Sequence, residues 1–287
     1  MRWRAAVTVL ALVAGTTGCT SRDRSGSAPA PSTTVDAQLA AEVPAAIRSA
    51  GAVIVATEPN YEPSEFLTGD KIVTGFDVDL FNAVAGKLGV KTQWKTAKFD
   101  EIIPAVGAGT YHVGVSSFTI RKEREEQVTM VSYFSAGTQW AAKPGGTVDP
   151  DNACGRKVAV QSATVQVTDV GSRSTACIAA GKPAIQVDEY LAQGDVTSAV
   201  TGGKDDAMLA DSPVTGYAVK QAKGDLALVG QVYNPVRYGY VLPKNQADFG
   251  ASIARALRQL MAEGTYQSIL DKWGVTAGAI GDPAVNP

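Results

Sequence analysis

The chain has 287 residues, 45% of them hydrophobic and 19% charged, enough apolar material for one large core or two modest ones. Its 26 basic and 28 acidic side chains leave a net charge of -2 without a long run of either sign. That balance excludes the basic footprint of a nucleic-acid-binding protein.

Met1-Arg2-Trp3-Arg4, the apolar stretch Ala5 to Ala14 and the small residues Gly15 to Gly18 have the layout of a secretory signal over residues 1–18. The apolar stretch is too short to span a bilayer. Cys19 follows directly, and the ending resembles the bacterial lipoprotein signal, in which that cysteine is lipidated and becomes the mature N-terminus; Thr16 departs from the usual leucine. Simple secretion and an uncleaved anchor are the alternatives. Residues 19–45 are expected to be the lipidated cysteine and a disordered tether, because the Ser-, Thr-, Ala- and Pro-rich stretch Thr20 to Ala40 offers almost no large apolar side chain to bury. Losing the signal would move the net charge to about -4, which leaves membrane attachment to acyl chains.

Val53 to Ala56 reads as a buried strand, followed by a turn-rich stretch with Pro59 and Pro63. From Asp77, the expected N-cap, Leu80, Phe81, Val84 and Leu88 recur at helical spacing up to Gly89, the expected C′ residue. Further strands are expected at Thr92 to Trp94, Val113 to Val115, Trp140 to Ala142, Val158 to Val160, Ile185 to Val187, Ala207 to Leu209, Leu226 to Val229 and Tyr238 to Leu242. Helical segments between most of them point to the α/β class with parallel sheets covered by helices. Phe249, Ile253, Leu257, Leu260 and Met261 form another helical face, interrupted at Gly264 and continued by Tyr266, Ile269, Leu270 and Trp273. The tail after Gly274 reads as loose.

Cys154 and Cys177, the pair left once Cys19 is set aside, read as a disulfide in an exported chain, with two buried free thiols as the alternative. His112 stands alone with no second ligand at metal spacing, so it is read as structural and no metal or cofactor is expected.

Thr74-Gly75-Phe76-Asp77-Val78-Asp79-Leu80, Phe99-Asp100-Glu101-Ile102-Ile103-Pro104-Ala105-Val106 and Thr119-Ile120-Arg121-Lys122-Glu123-Arg124 resemble the family 3 bacterial extracellular solute-binding proteins, the polar amino acid binders of ABC transporters. The resemblance runs from about Gly51 to Trp273. It implies a two-lobed, type II periplasmic-binding-protein-like fold with two hinge crossings, near Phe134 to Gly137 and Asn234 to Tyr238, and a cleft between lobes. The first lobe would take residues 46–135 plus 238–276, the second 136–237, with 277–287 a C-terminal tail.

The same resemblance implies the ligand set. Arg124 stands where the family keeps the arginine that holds the α-carboxylate, a task suited to a planar guanidinium. Backbone amides of the run Gln161 to Val165, including Thr164, would take the remaining carboxylate lone pairs. Asp211, the Ser117 carbonyl and the Thr119 hydroxyl would receive the ammonium group; Asp211 is also a possible helix N-cap. Tyr61 and Phe99 would pack around the ligand's aliphatic part. Glu58 and Gln161 could receive an amide or cationic side chain, whereas an acidic ligand would call on Arg121.

The partners implied are a polar amino acid, an ABC permease with its ATPase, and the membrane through a lipid anchor, with the protein a monomer on the outer face of the cell membrane. Two rival functions remain. One is an exported cyclic-acid dehydratase on the same scaffold, with Glu58 or Glu65 as the acid or base. The other is an amino acid sensor signalling to a membrane partner.

Overall fold

A computed structural model describes residues 33–287, together with Met1 and Trp3. Cys19, almost all of the signal segment and the tether up to residue 32 lie outside the described residues. Among the described residues no helix is long and apolar enough to cross a membrane.

The strand Ala52–Thr57 is buried along nearly its whole length and pairs in parallel with Lys91–Thr96 on one side and Val113–Gly114 on the other. A run of β-branched residues suits a strand buried on both faces. The helix Phe76–Lys87 packs beside it, buried almost all round. Its start is set by Gly75, with φ 136°, where an added Cβ would lie 2.0 Å from the Ser64 carbonyl oxygen. Only glycine lets that chain approach so closely. The amides of Phe76 and Asp77 then donate to the carbonyls of Pro63 and Ser64. Asp77 is therefore not the N-cap expected of it; Gly75 holds that position and Asp77 sits in the first turn, fully buried. Gly89, with φ 69°, is the C′ residue as expected.

Two long antiparallel strands, Val128–Ala142 and Ala227–Pro243, tie the lobes together. The sequence reads as shorter strands because the second carries register shifts between Val229 and Tyr233, Tyr233 and Val236, and Tyr238 and Gly239. The segments expected as crossings run side by side there, Phe134 opposite Tyr238 and Ala136 opposite Val236. In the second lobe Ala207–Asp211, Lys157–Gln161 and Gln186–Tyr190 pair in parallel, so these eight strands form one connected sheet that is mixed rather than wholly parallel, beside a small three-stranded sheet of Asn60–Tyr61, Glu65–Leu67 and Val73–Thr74. The first lobe closes around Phe76, Leu80, Phe81, Tyr240 and Leu257; the second has cores around Trp140, Val158 and Leu209 and around Met208, Val196 and Val214. Cys154 and Cys177 form a disulfide, which fastens the helix Val165–Ala179 to the segment before Lys157–Gln161.

Both ends correct the sequence reading. The helix Ala37–Glu42, capped by the Asp36 side chain on the Leu39 amide, lies inside the stretch expected as tether, with Leu39 and Val43 buried. Leu39, Val43 and Ile47 are buried and recur at a spacing of four, a signal of order that composition alone hides, with Val43 and Pro44 dividing the stretch into the helices Ala37–Glu42 and Ala45–Ala50. The tail after Gly274 is packed rather than loose. Gly278 lies against the Phe134 ring so closely that a Cβ would come within 2.0 Å, the Ser132 amide donates to the Ala284 carbonyl, and the Met130 amide donates to Asn286 Oδ1.

Candidate functional site

A small cavity lies between the lobes, at the carboxyl ends of the parallel strands of both. That position follows from the topology, since loops leaving parallel strands converge there. All ten residues expected in the cleft line this cavity. Glu58 and Tyr61 follow Ala52–Thr57, Ser117 and Thr119 follow Val113–Gly114, and Phe99 and Arg124 stand on the helices Phe99–Gly107 and Lys122–Glu125. From the second lobe come Gln161, Thr164 and Val165, and Asp211 at the end of its strand. Glu65, Ser116 and Gln166 line it as well.

Arg124 donates from Nη1 to the Thr119 carbonyl at 2.9 Å and from Nη2 to the Ala163 carbonyl at 3.1 Å, so its head spans the gap between lobes. Its guanidinium carbon lies 5.5 Å and 5.6 Å from the centroids of Phe99 and Phe118, whose rings stack at 4.9 Å. Cation–π attraction and packing fix the head there. Burial, assisted by Arg121, lowers its pKa to about 10, which leaves it a cation at neutral pH. Arg121 itself pairs with Glu123 and does not line the cavity.

Asp211 is fully enclosed. Its Oδ2 accepts from Tyr61 at 3.0 Å and Tyr238 at 2.7 Å, and Oδ1 accepts from Gln166 Nε2 at 2.8 Å. Burial raises its pKa while these donors, and Arg124 nearby, pull it back. It precedes the helix Ser212–Gln221 yet makes no side-chain cap bond, because its oxygens turn to the cleft. Tyr61, expected as an apolar wall, thus also acts through its hydroxyl. Gln166 escaped the sequence reading: it directly follows Val165 in the first helical turn, and only that adjacency signals it.

Glu58 Oε2 accepts from Gln161 Nε2 at 2.9 Å across the cleft. Burial, then the Asp100 charge, raises it to about 7 against the opposing effect of that bond. Among the described residues it has no cationic partner. His112 lies outside the cleft, where its Nδ1 accepts from the Ile54 amide at 3.0 Å.

The sequence profile of the bacterial extracellular solute-binding proteins, family 3, matches residues 53–276. The chain belongs to that family. It is 34% identical to the arginine-binding protein ArgT of Corynebacterium glutamicum over 252 residues, 87% of this chain and 83% of that one. The solved structure of an ancestral arginine-binding protein bound to glutamine superposes with a TM-score of 0.71 at 31% identity, covering 78% of this chain and 98% of that one. The ancestral amino acid-binding protein AncCDT-1, a precursor of cyclohexadienyl dehydratase, superposes with a TM-score of 0.70 at 28% identity, covering 79% of this chain and 97% of that one. The two-lobed type II fold and an extracytoplasmic place accord with this family of solute-binding proteins, and the relatives named here are binding proteins.

Proposed function

We propose that this family 3 protein is the ligand-capturing component of an ABC importer and that it closes around an amino acid with a cationic side chain. Arg124 holds the α-carboxylate with help from the amides at Thr164 and Val165. Asp211, the Ser117 carbonyl and the Thr119 hydroxyl take the α-ammonium group. Tyr61 and Phe99 flank the aliphatic stem, and Glu58 with Gln161 receives the far end. The observation that carries this reading is a cavity in which two carboxyl side chains, Glu58 and Asp211, face one cation, Arg124, while the third acid on its wall, Glu65, is engaged with Ser116 and Ser117. A zwitterion alone brings one charge of each sign, so an additional positive charge on the ligand matches the surplus acid. Arginine binding by the relative from Corynebacterium glutamicum supports the same choice.

Lipidation of Cys19 on the outer face of the membrane is part of the proposal, supported by the Gly15 to Cys19 pattern. A monomer is part of the proposal as well, and its division into lobes at 46–135 plus 238–276 and at 136–237 is supported by largely separate cores. A thermal-shift screen of the common amino acids tests the function. L-arginine and L-lysine should raise Tm most, with the rise growing as the site saturates; a screen in which no amino acid raises it would overturn the reading.

A further inference from the structure

Beneath the cleft, two acids meet without a cation. Glu65 is 1% exposed and Asp77 fully buried. Asp77 Oδ2 accepts from Tyr133 at 2.6 Å, from the Ser117 amide at 3.0 Å and from Ser117 Oγ at 3.3 Å. Its other oxygen, Oδ1, has no hydroxyl or amide donor among the described residues. The Glu65 carboxyl meets Asp77 at one hydroxyl, Ser117 Oγ lying 3.5 Å from Glu65 Oε2 and 3.3 Å from Asp77 Oδ2. Glu65 Oε1 accepts from Ser116 Oγ at 3.0 Å, and that hydroxyl accepts from the Glu58 amide at 3.1 Å. Two bare carboxylates so close together in so dry a place would repel strongly, whereas one proton held between them turns that repulsion into a hydrogen bond. Tyr133 and the Ser117 amide donate to Asp77 alone, which favours the charge on Asp77 and the proton on Glu65.

The pair holds something specific. Ser117 has φ 50°, a left-handed conformation that a non-glycine residue keeps only when its surroundings fix it, and its amide is tied to Asp77. We propose that Glu65 and Asp77 share a single proton and act as positioning residues, holding the Ser116–Ser117 strap so that the Ser117 carbonyl faces the ligand's ammonium group. The last clause rests on the ligand reading above; the shared proton does not.

The groups facing the pair are consistent with this. Glu58 and Tyr61 approach from the segments after the first strand, Tyr133 from one long strand and Tyr240 from the other, all neutral or acidic. Arg124 lines the same cavity but makes no ion pair with either acid. Burial and the neighbouring carboxyl raise Glu65 well above the usual carboxylate range, in the direction the geometry requires.

The infrared C=O stretch of a protonated carboxyl reads the proton directly. In a Glu58→Gln background at neutral pH, which removes the contribution of Glu58, the band should be present and should vanish in the Glu58→Gln/Glu65→Gln double variant. No such band, or a band that survives Glu65→Gln, would overturn the shared proton. In the otherwise wild-type chain, Glu65→Gln keeps a donor for Asp77 and should bind L-arginine within about threefold of wild type, whereas Glu65→Ala should lose about tenfold or more. Equal affinities for the alanine variant and wild type would overturn the positioning role. If the wild-type chain binds no amino acid, the ligand reading fails while the infrared band still decides the proton.

Discussion

Gln161 donates to Glu58 at 2.9 Å, and this bond crosses from the second lobe to the first at a carboxyl that meets no cation. Glu58 titrates near 4.5 when unfolded and near 7 in the fold. Its folded pKa is raised, so its contribution to stability is complete below about pH 4.5 and disappears as pH rises through about 7, a change on the order of 3 kcal/mol. The Tm of the ligand-free protein should fall over that window, and Glu58→Gln should flatten the fall. Equal slopes for the two proteins would remove Glu58 as its source.

A cationic ligand reverses the preference. A guanidinium beside Glu58 favours its ionised form, so binding below about pH 7 should release a proton and the affinity for L-arginine should rise through that range. L-Citrulline, the neutral near-isostere, should show no such rise. Calorimetry in buffers of different ionisation enthalpy would measure the release, and the same pH profile for both ligands would exclude Glu58 as the receiver of the cation.

Arg124 sits between two backbone carbonyls and two aromatic rings, so its removal leaves a ligand carboxylate facing a dry wall. Arg124→Ala should weaken every amino acid by about 2 to 5 kcal/mol, enough to abolish the thermal shift at ordinary ligand concentrations. Arg124→Lys should restore little, because an ammonium lacks the planar fork. Retained binding in the alanine variant would end the carboxylate assignment.

Ending the chain at Gly274 should destabilise the first lobe by at least about 2 kcal/mol, since it strips the cover from Phe134 and removes the bonds to Met130 and Ser132. Denaturant unfolding would measure this. A truncated protein as stable as the full chain would show that the packed tail contributes nothing.

The parts of the fold legible in sequence are those with a strong local period. Val53 to Ala56 and the strand before Asp211 are short apolar runs that cannot turn outward without exposing them, and both appear where expected. The second long strand reads as fragments because Gly230, Asn234 and Pro235 interrupt its pattern where the chain passes between lobes. Asp77 looked like a cap because Asp commonly is one, and only the close approach of Ser64 to Gly75 moves the helix start. The cleft residues were legible through family motifs rather than period. Gln166 and the Glu65–Asp77 contact were not, since each depends on two distant segments meeting.

Tyr61 reaches from the first lobe to Asp211 in the second, and its hydroxyl also accepts from the Asp211 amide at 3.3 Å. Opening the cleft must break both bonds, while Gln166, on the same lobe, can stay on the carboxylate and Tyr238 reaches it from the hinge segment between the lobes. The phenol therefore favours the closed form specifically. Tyr61→Phe keeps the ring against the ligand and removes the latch, which should weaken amino acid binding by about 1 to 2 kcal/mol, or roughly five- to thirtyfold. Because the loss falls on closure, small-angle scattering should show the ligand-free variant more expanded than wild type, with the two alike once saturated. Unchanged affinity and unchanged dimensions would mean that closure does not depend on this bond.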